Sequence, residues 1–148
     1  MLAINCSLNI QVMGEPQILT SESKSVEAYG KIDVEIQPAG EKADFVNVEI
    51  QLGRGAQISF ILIKQSAYVP NDTKLTYKVS NGAEKDSKES EENVLNEPHI
   101  YSTGMIKLLP DTPKILKLKN MHSENDTTKK VAIEILVGRN ATPSPQSN

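Results

Sequence analysis

The sequence predicts an all-β protein: an antiparallel β-sandwich of about eight strands with little or no helix. Three observations carry this expectation. Apolar and polar residues alternate with period two in at least four segments. Glycine, proline and asparagine sit between those segments as turn formers. No long stretch repeats apolar residues at the 3.6-residue spacing of an amphipathic helix, and short strands without helices between them indicate a sandwich or barrel. A jelly-roll connection of the strands is compatible with the pattern.

A chain of 148 residues suits one domain. Roughly 150 residues bury about two-thirds of the unfolded surface, so disulfides or metals are not needed as staples. The domain is expected over 1–138. Residues 139–148, ending Thr-Pro-Ser-Pro-Gln-Ser-Asn, are expected to be a disordered tail because they offer nothing to a core.

The first strand sets Leu2, Ile4, Cys6, Leu8, Ile10 and Val12 against Asn5, Ser7, Asn9 and Gln11. On a strand those apolar residues share one face; on a helix they would scatter around it. Gly14 and Pro16 end the run. The second alternation places Val26, Ala28, Gly30, Ile32, Val34 and Ile36 opposite Glu27, Lys31, Asp33, Glu35 and Gln37. Gly30 in mid-strand suggests a bulge or a close backbone approach. Val46, Val48, Ile50 and Leu52 follow, and Gly53-Arg54-Gly55 is expected to turn a hairpin.

The strand after that turn differs in kind, because Ile58, Phe60, Ile61, Leu62 and Ile63 make both faces apolar. Such a strand is covered twice. Ile58, Phe60 and Leu62 are expected to face the domain core. Ile61 and Ile63 are left for a second cover, with another subunit as the preferred one. Leu75, Tyr77 and Val79 alternate with Lys74, Thr76 and Lys78. Residues 83–97 hold six acids and two lysines. They are expected to form a short helix near Lys88–Leu95 or to stay mobile, and to be the first internal site of proteolysis. A weaker strand is expected from Ile100 to Leu109. Leu116 and Leu118 opposed by Lys117 and Lys119 mark another, and Val131, Ile133, Ile135 and Val137 the last.

Composition excludes several functions. Net charge is -3, and only Arg54 and Arg139 of sixteen basic residues are arginines, which argues against nucleic-acid binding because bidentate base and phosphate contacts favour arginine. Residues 1–98 hold fifteen acids and nine bases, net -6; residues 99–139 hold four acids and seven bases, net +3. The basic half reads as a solvated strand face. No apolar run approaches the ~18 residues that span a bilayer, so no membrane partner is expected. The opening Met-Leu-Ala-Ile-Asn-Cys-Ser lacks the basic and apolar regions of a secretory signal, and one cysteine permits no internal disulfide. A cytoplasmic location is therefore expected, and the four Asn-x-Ser/Thr matches at Asn5, Asn71, Asn125 and Asn140 carry no weight.

Chemistry-bearing motifs are scarce. His99 and His122 have no partner at metal-ligand spacing, and a zinc site needs three or four clustered ligands. No Gly-x-Ser-x-Gly elbow appears. Cys6 reads as a buried apolar residue rather than a reactive thiol. Asp33 and Glu35, with Glu49 on a neighbouring strand, could pair for acid–base work but read as solvated charges. A sugar platform needs flat rings, and the chain has no Trp and only Tyr29, Tyr68, Tyr77 and Tyr101 with Phe45 and Phe60. No catalytic, cofactor or metal residue is assigned. The expected function is a non-enzymatic structural or interaction module that self-associates, with a small-ligand or carbohydrate-binding domain as the alternative.

Overall fold

Strands must pair every buried N–H and C=O, and the alternating segments do so antiparallel throughout. A computed structural model describes residues 2–50, 56–110 and 113–141. Ten strands are described: β1 (Leu2–Ile10), β2 (Ile18–Val26), β3 (Ala28–Ile36), β4 (Val46–Glu49), β5 (Ala56–Gln65), β6 (Leu75–Ser80), β7 (Asn93–Val94), β8 (His99–Tyr101), β9 (Ile115–Asn120) and β10 (Val131–Ala141). The helix content described is one turn, α1 (Thr103–Ile106), and a 3-10 turn at Thr127–Lys129.

The strands form a four-stranded sheet β3-β10-β5-β8, a second β4-β9-β6-β7, and a two-stranded ribbon β1-β2. From the first sheet, Ile36, Ile58, Ile61, Ile63, Ile133, Ile135 and Val137 point inward. From the second come Leu75, Tyr77, Val79, Leu116 and Leu118, and all belong to one buried cluster. Two apolar sheet faces pooled in one core make a sandwich. Ile50 and Leu95 close it, each almost fully buried.

Polar ties fix how the sheets sit. The Asn120 amide donates to the carbonyls of Ile36 (3.1 Å) and Lys129 (2.9 Å), while the Asn120 carbonyl accepts from Ala39 N–H (3.1 Å). The Gln65 amide donates to Leu95 O at 2.7 Å, and Arg139 Nη2 to Ile50 O at 2.6 Å. Each replaces water on a buried group, whose desolvation would otherwise cost about 1–3 kcal/mol.

Several expectations are corrected. Two of the ten strands, β7 and β8, are only two and three residues long, and β2 lies in a polar stretch that the pattern does not mark. The run Ile100–Leu109 is not one strand: β8 ends at Tyr101 and α1 follows. Lys88–Leu95 is neither helical nor loose. It is an extended edge segment, in which Ser90 N–H donates to Val79 O (2.8 Å), Leu95 N–H donates to Leu75 O (2.9 Å), and β7 pairs with β6. β10 runs to Ala141 rather than stopping near Gly138. The Gly53-Arg54-Gly55 turn and the tail beyond Ala141 lie outside the described residues.

The two faces of β5 are also reversed. Ile61 and Ile63 are core residues at 0 % exposure, while Phe60 faces outward. The cause is a bulge: Phe60 pairs with Gly138 and Ile58 with Arg139, leaving Ser59 as an extra residue. One inserted residue shifts the alternation by one, so Ile58 and Ile61 reach the same side. Phe60 is nonetheless 3 % exposed. Its cover is the chain's own ribbon, since Ile4 and Val26 side chains crowd the space above Gly138 beside it.

Two outcomes follow from this packing. Ile61→Asp buries an unpaired carboxylate in the core; its circular dichroism should show loss of the cooperative fold, not a folded, dissociated monomer. A Cβ at Gly138 would lie 2.8 Å from Ile4 Cδ1 and 2.9 Å from Val26 Cγ1. Gly138→Val should cost about 1–3 kcal/mol in chemical denaturation, as overpacking does. Amide exchange should accelerate in β1 and β2 more than in the core strands.

Candidate functional site

Chemistry needs polar groups that converge without being spent on one another, and four places deserve comparison. The first is internal. His99 and Tyr101 are two apart on β8 and so point to the same side, toward the sandwich edge. Tyr77 reaches them from β6: its hydroxyl lies 2.6 Å from His99 Nδ1 and 2.6 Å from the Tyr101 hydroxyl. The Tyr77 and His99 rings meet edge-on at 5.5 Å. Burial pushes the Tyr77 hydroxyl far above its usual range, aided by its bond to Tyr101, and burial pushes His99 below its usual value against the opposing pull of Glu97. The histidine therefore favours the neutral ring. Its Nδ1 is committed to Tyr77, so the trio works as a polar clasp between the sheets.

The second is His122, whose Nε2 lies 2.9 Å from Asp72 Oδ2, with both side chains 16 % exposed. Asp72 Oδ1 accepts from Lys74 N–H and His122 N–H donates to Asn120 Oδ1. This pair joins two loops. Among the described residues no cluster of His, Cys, Asp and Glu is arranged to hold a metal ion.

The third is the outer face of the first sheet, a shallow depression of about 650 Å³ that includes Asp33, Glu35, Lys64 and Glu134. Asp33 and Glu35 are exposed, as expected, but Glu49 is on β4 in the other sheet, so the three carboxylates do not share a strand pair. The charges here neutralise one another. Lys64 lies 3.0 Å and Lys31 3.4 Å from Glu134, and Lys130 lies 3.6 Å from Glu35. The bond from Lys64 and then that from Lys31 hold the Glu134 carboxyl below its usual range. Exposed pairs of this kind add little stability.

The basic half of the sequence meets the acidic half on the outer face of the second sheet. Glu89 pairs with Lys117 and Lys78, and Glu92 with Lys119 at 2.8 Å. Lys119 and Lys78 also lie 4.6 and 5.3 Å from the centre of the Phe45 ring. The lysines are thus engaged within the chain.

The fourth is a cleft of about 190 Å³ where the ribbon overhangs the first sheet. Cys6, Leu8, Thr20 and Glu22 form one wall, and Phe60, Ile100 and Ser102 the other. Cys6 is half-buried in this wall rather than sealed in a core. Beyond the cleft the ribbon's apolar face is open: Leu8, Ile10, Val12 and Ile18 are 52, 44, 57 and 59 % exposed. The sequence pattern marked this face as buried; in the structure its base, at Ile4 and Val26, is covered and Cys6 partly so, while the rest is open. Of the tyrosines, Tyr29 alone is exposed. Tyr68 accepts from Gln65 N–H, and Tyr77 and Tyr101 are bonded inside, so the rings form no platform.

No family model matches the chain, and no curated protein matches its sequence. No helix among the described residues is long and apolar enough to cross a membrane.

The clasp sets a pH dependence. Because the folded pKa of His99 lies below its ordinary 6.5, its contribution is complete above pH ~6.5 and is lost as pH falls through that value toward the folded pKa. The melting temperature should drop between pH ~7 and ~5, before the carboxylates titrate. In His99→Gln that slope should be shallower; an unchanged slope would assign the loss elsewhere.

Proposed function

We propose that this chain is a non-enzymatic structural or protein-interaction module that self-associates. The observation that carries the reading is the large apolar side chains left at the surface in two neighbouring places. These are the distal ribbon, and Ile100, Met105 and Leu108 around α1, which are 47, 46 and 71 % exposed. Contiguous exposed apolar surface marks contact sites in soluble proteins. The polar groups support the same reading, because both histidines and the central charges of both outer sheet faces are bonded to partners within the chain.

The strand order supports a jelly-roll assignment. β3, β4, β5 and β6 alternate between sheets, β7 through β10 return, and the orders β3-β10-β5-β8 and β4-β9-β6-β7 make two interlocked Greek keys. Jelly rolls serve both assembly and ligand binding, so the fold alone does not choose. A cytoplasmic setting fits the single Cys6. The cleft beside Cys6 favours a second reading, a site for a small apolar ligand, since apolar walls with few polar groups are what such ligands use.

Sedimentation of the whole chain from about 1 µM to about 1 mM tests the first reading, since that range brackets weak self-association. The weight-average mass should rise with concentration. A constant monomer mass would reject self-association. A melting temperature raised by a small apolar compound, and unchanged by protein concentration, would favour the cleft instead.

A further inference from the structure

The ribbon is amphipathic on its own. Register sets Ile10 opposite Ile18 and Leu8 opposite Thr20 on one face, while Ser7 faces Ser21 and Asn5 faces Ser23 on the other. The second face is mostly serine and asparagine, which suit water, with Leu19 exposed among them. The apolar face is covered at its base, where Ile4 and Val26 meet Gly138 and Phe60, and partly at Cys6 over the cleft.

We propose that the distal apolar face of β1–β2 docks on the same face of a second copy, ribbon against ribbon about a two-fold axis. This rests on the self-association reading and names its surface. Three arguments choose a second copy. The chain after Ala141 is Thr-Pro-Ser-Pro-Gln-Ser-Asn, which has no aliphatic or aromatic side chain except proline to lay on Leu8, Ile10 and Ile18. Charge disfavours anionic partners: residues 2–26 hold Glu15 and Glu22 against Lys24, net -1, in a chain of net -3. Acidic lipid or nucleic acid would be repelled, whereas two nearly neutral apolar faces would not.

Area gives the third argument. Nine-residue strands are about 30 Å long, and two of them about 10 Å wide. A whole ribbon face is thus about 300 Å², and stacking the distal parts of two removes on the order of 500 Å² in total, the size of a weak contact rather than of an obligate interface. This implies a weak, reversible dimer rather than an obligate one. A face that meets itself also closes at two copies, where a ribbon seated on a different patch would propagate. The sandwich edges do not compete. β4, β7 and β8 are four, two and three residues long, and β3 carries Lys31, Asp33 and Glu35, charges that discourage edge pairing.

The test compares the whole chain with Ile10→Asp/Ile18→Asp and with Ile10→Thr/Ile18→Thr, which keeps strand propensity, by sedimentation and circular dichroism. Val69→Asp, at an exposed site in the loop before β6, is the control. Both ribbon variants should stay folded and weaken dimerisation at least tenfold, while Val69→Asp should dimerise like wild type. A dimer that survives both ribbon changes overturns this surface and leaves self-association standing. Wild type that is monomeric throughout rejects both. An assembly larger than a dimer that the ribbon variants dissolve overturns the two-fold arrangement. Wild type that stays monomeric but co-sediments with zwitterionic vesicles, when the ribbon variants do not, replaces the second copy with a lipid surface.

Discussion

β5 has to be covered on both faces, and much of the structure answers that requirement. Ile58, Ile61 and Ile63 fill the space between the sheets, and Phe60 with Leu62 points the other way. A sandwich of two sheets shields only one side of each. The ribbon supplies the missing cover over Phe60, and it fits because Gly138, directly across from Phe60, has no side chain to hold it off. Fully burying a Phe or Ile side chain contributes about 1.5–3 kcal/mol, so the base of the ribbon is worth keeping down. Farther out, Ile10, Val12 and Ile18 remain exposed. The same element is therefore anchored by one end and unsatisfied at the other.

The strands whose neighbours are regular were legible in the sequence. β3, β9 and β10 each keep strict alternation, and Leu116, Leu118, Ile133, Ile135 and Val137 are buried where the period places them. The faces of β5 were not legible, because a bulge at Ser59 is a property of the pairing with β10 and leaves no mark in the apolar pattern. β2 escaped for a related reason. Ile18–Val26 is mostly Ser, Thr, Glu and Lys, and it is extended because β1 pairs with it, not because a core demands it. Segment 88–95 reads as helical or loose from composition alone. Lys78, Lys117 and Lys119, which lie before and after it in sequence, give its acids partners.

The candidate sites follow the same division. The sequence offered two histidines without partners at ligand spacing, and the structure shows where they go. Neither bond could be read locally: Tyr77 is 22 residues from His99, and Asp72 is 50 from His122. What sequence reasoning assigned to the wrong place was the uncovered apolar surface. The double-faced run at Ile58–Ile63 was the conspicuous signal, yet it is satisfied within the chain. The cleaner alternation of Leu8, Ile10 and Val12 is the one left open.

That exchange bears on what the fold can do. A sheet face whose lysines and carboxylates are paired presents little net charge, and it gains little from binding an ion because an existing pair must first be broken. The two outer sheet faces are largely of this kind, with Glu134 held between Lys31 and Lys64 on one and Glu89 between Lys78 and Lys117 on the other. Apolar surface has no such internal compensation, since water is the only thing it can exchange. Free energy for association is therefore concentrated where Leu8, Ile10, Val12 and Ile18 project. Among the described residues the ribbon's outer edges have no strand neighbour, and its far face sets Leu19 among hydroxyls and amides that water already serves. An interaction built on this chain has its strongest physical basis in that apolar face and the exposed side chains near it, Ile100, Met105 and Leu108.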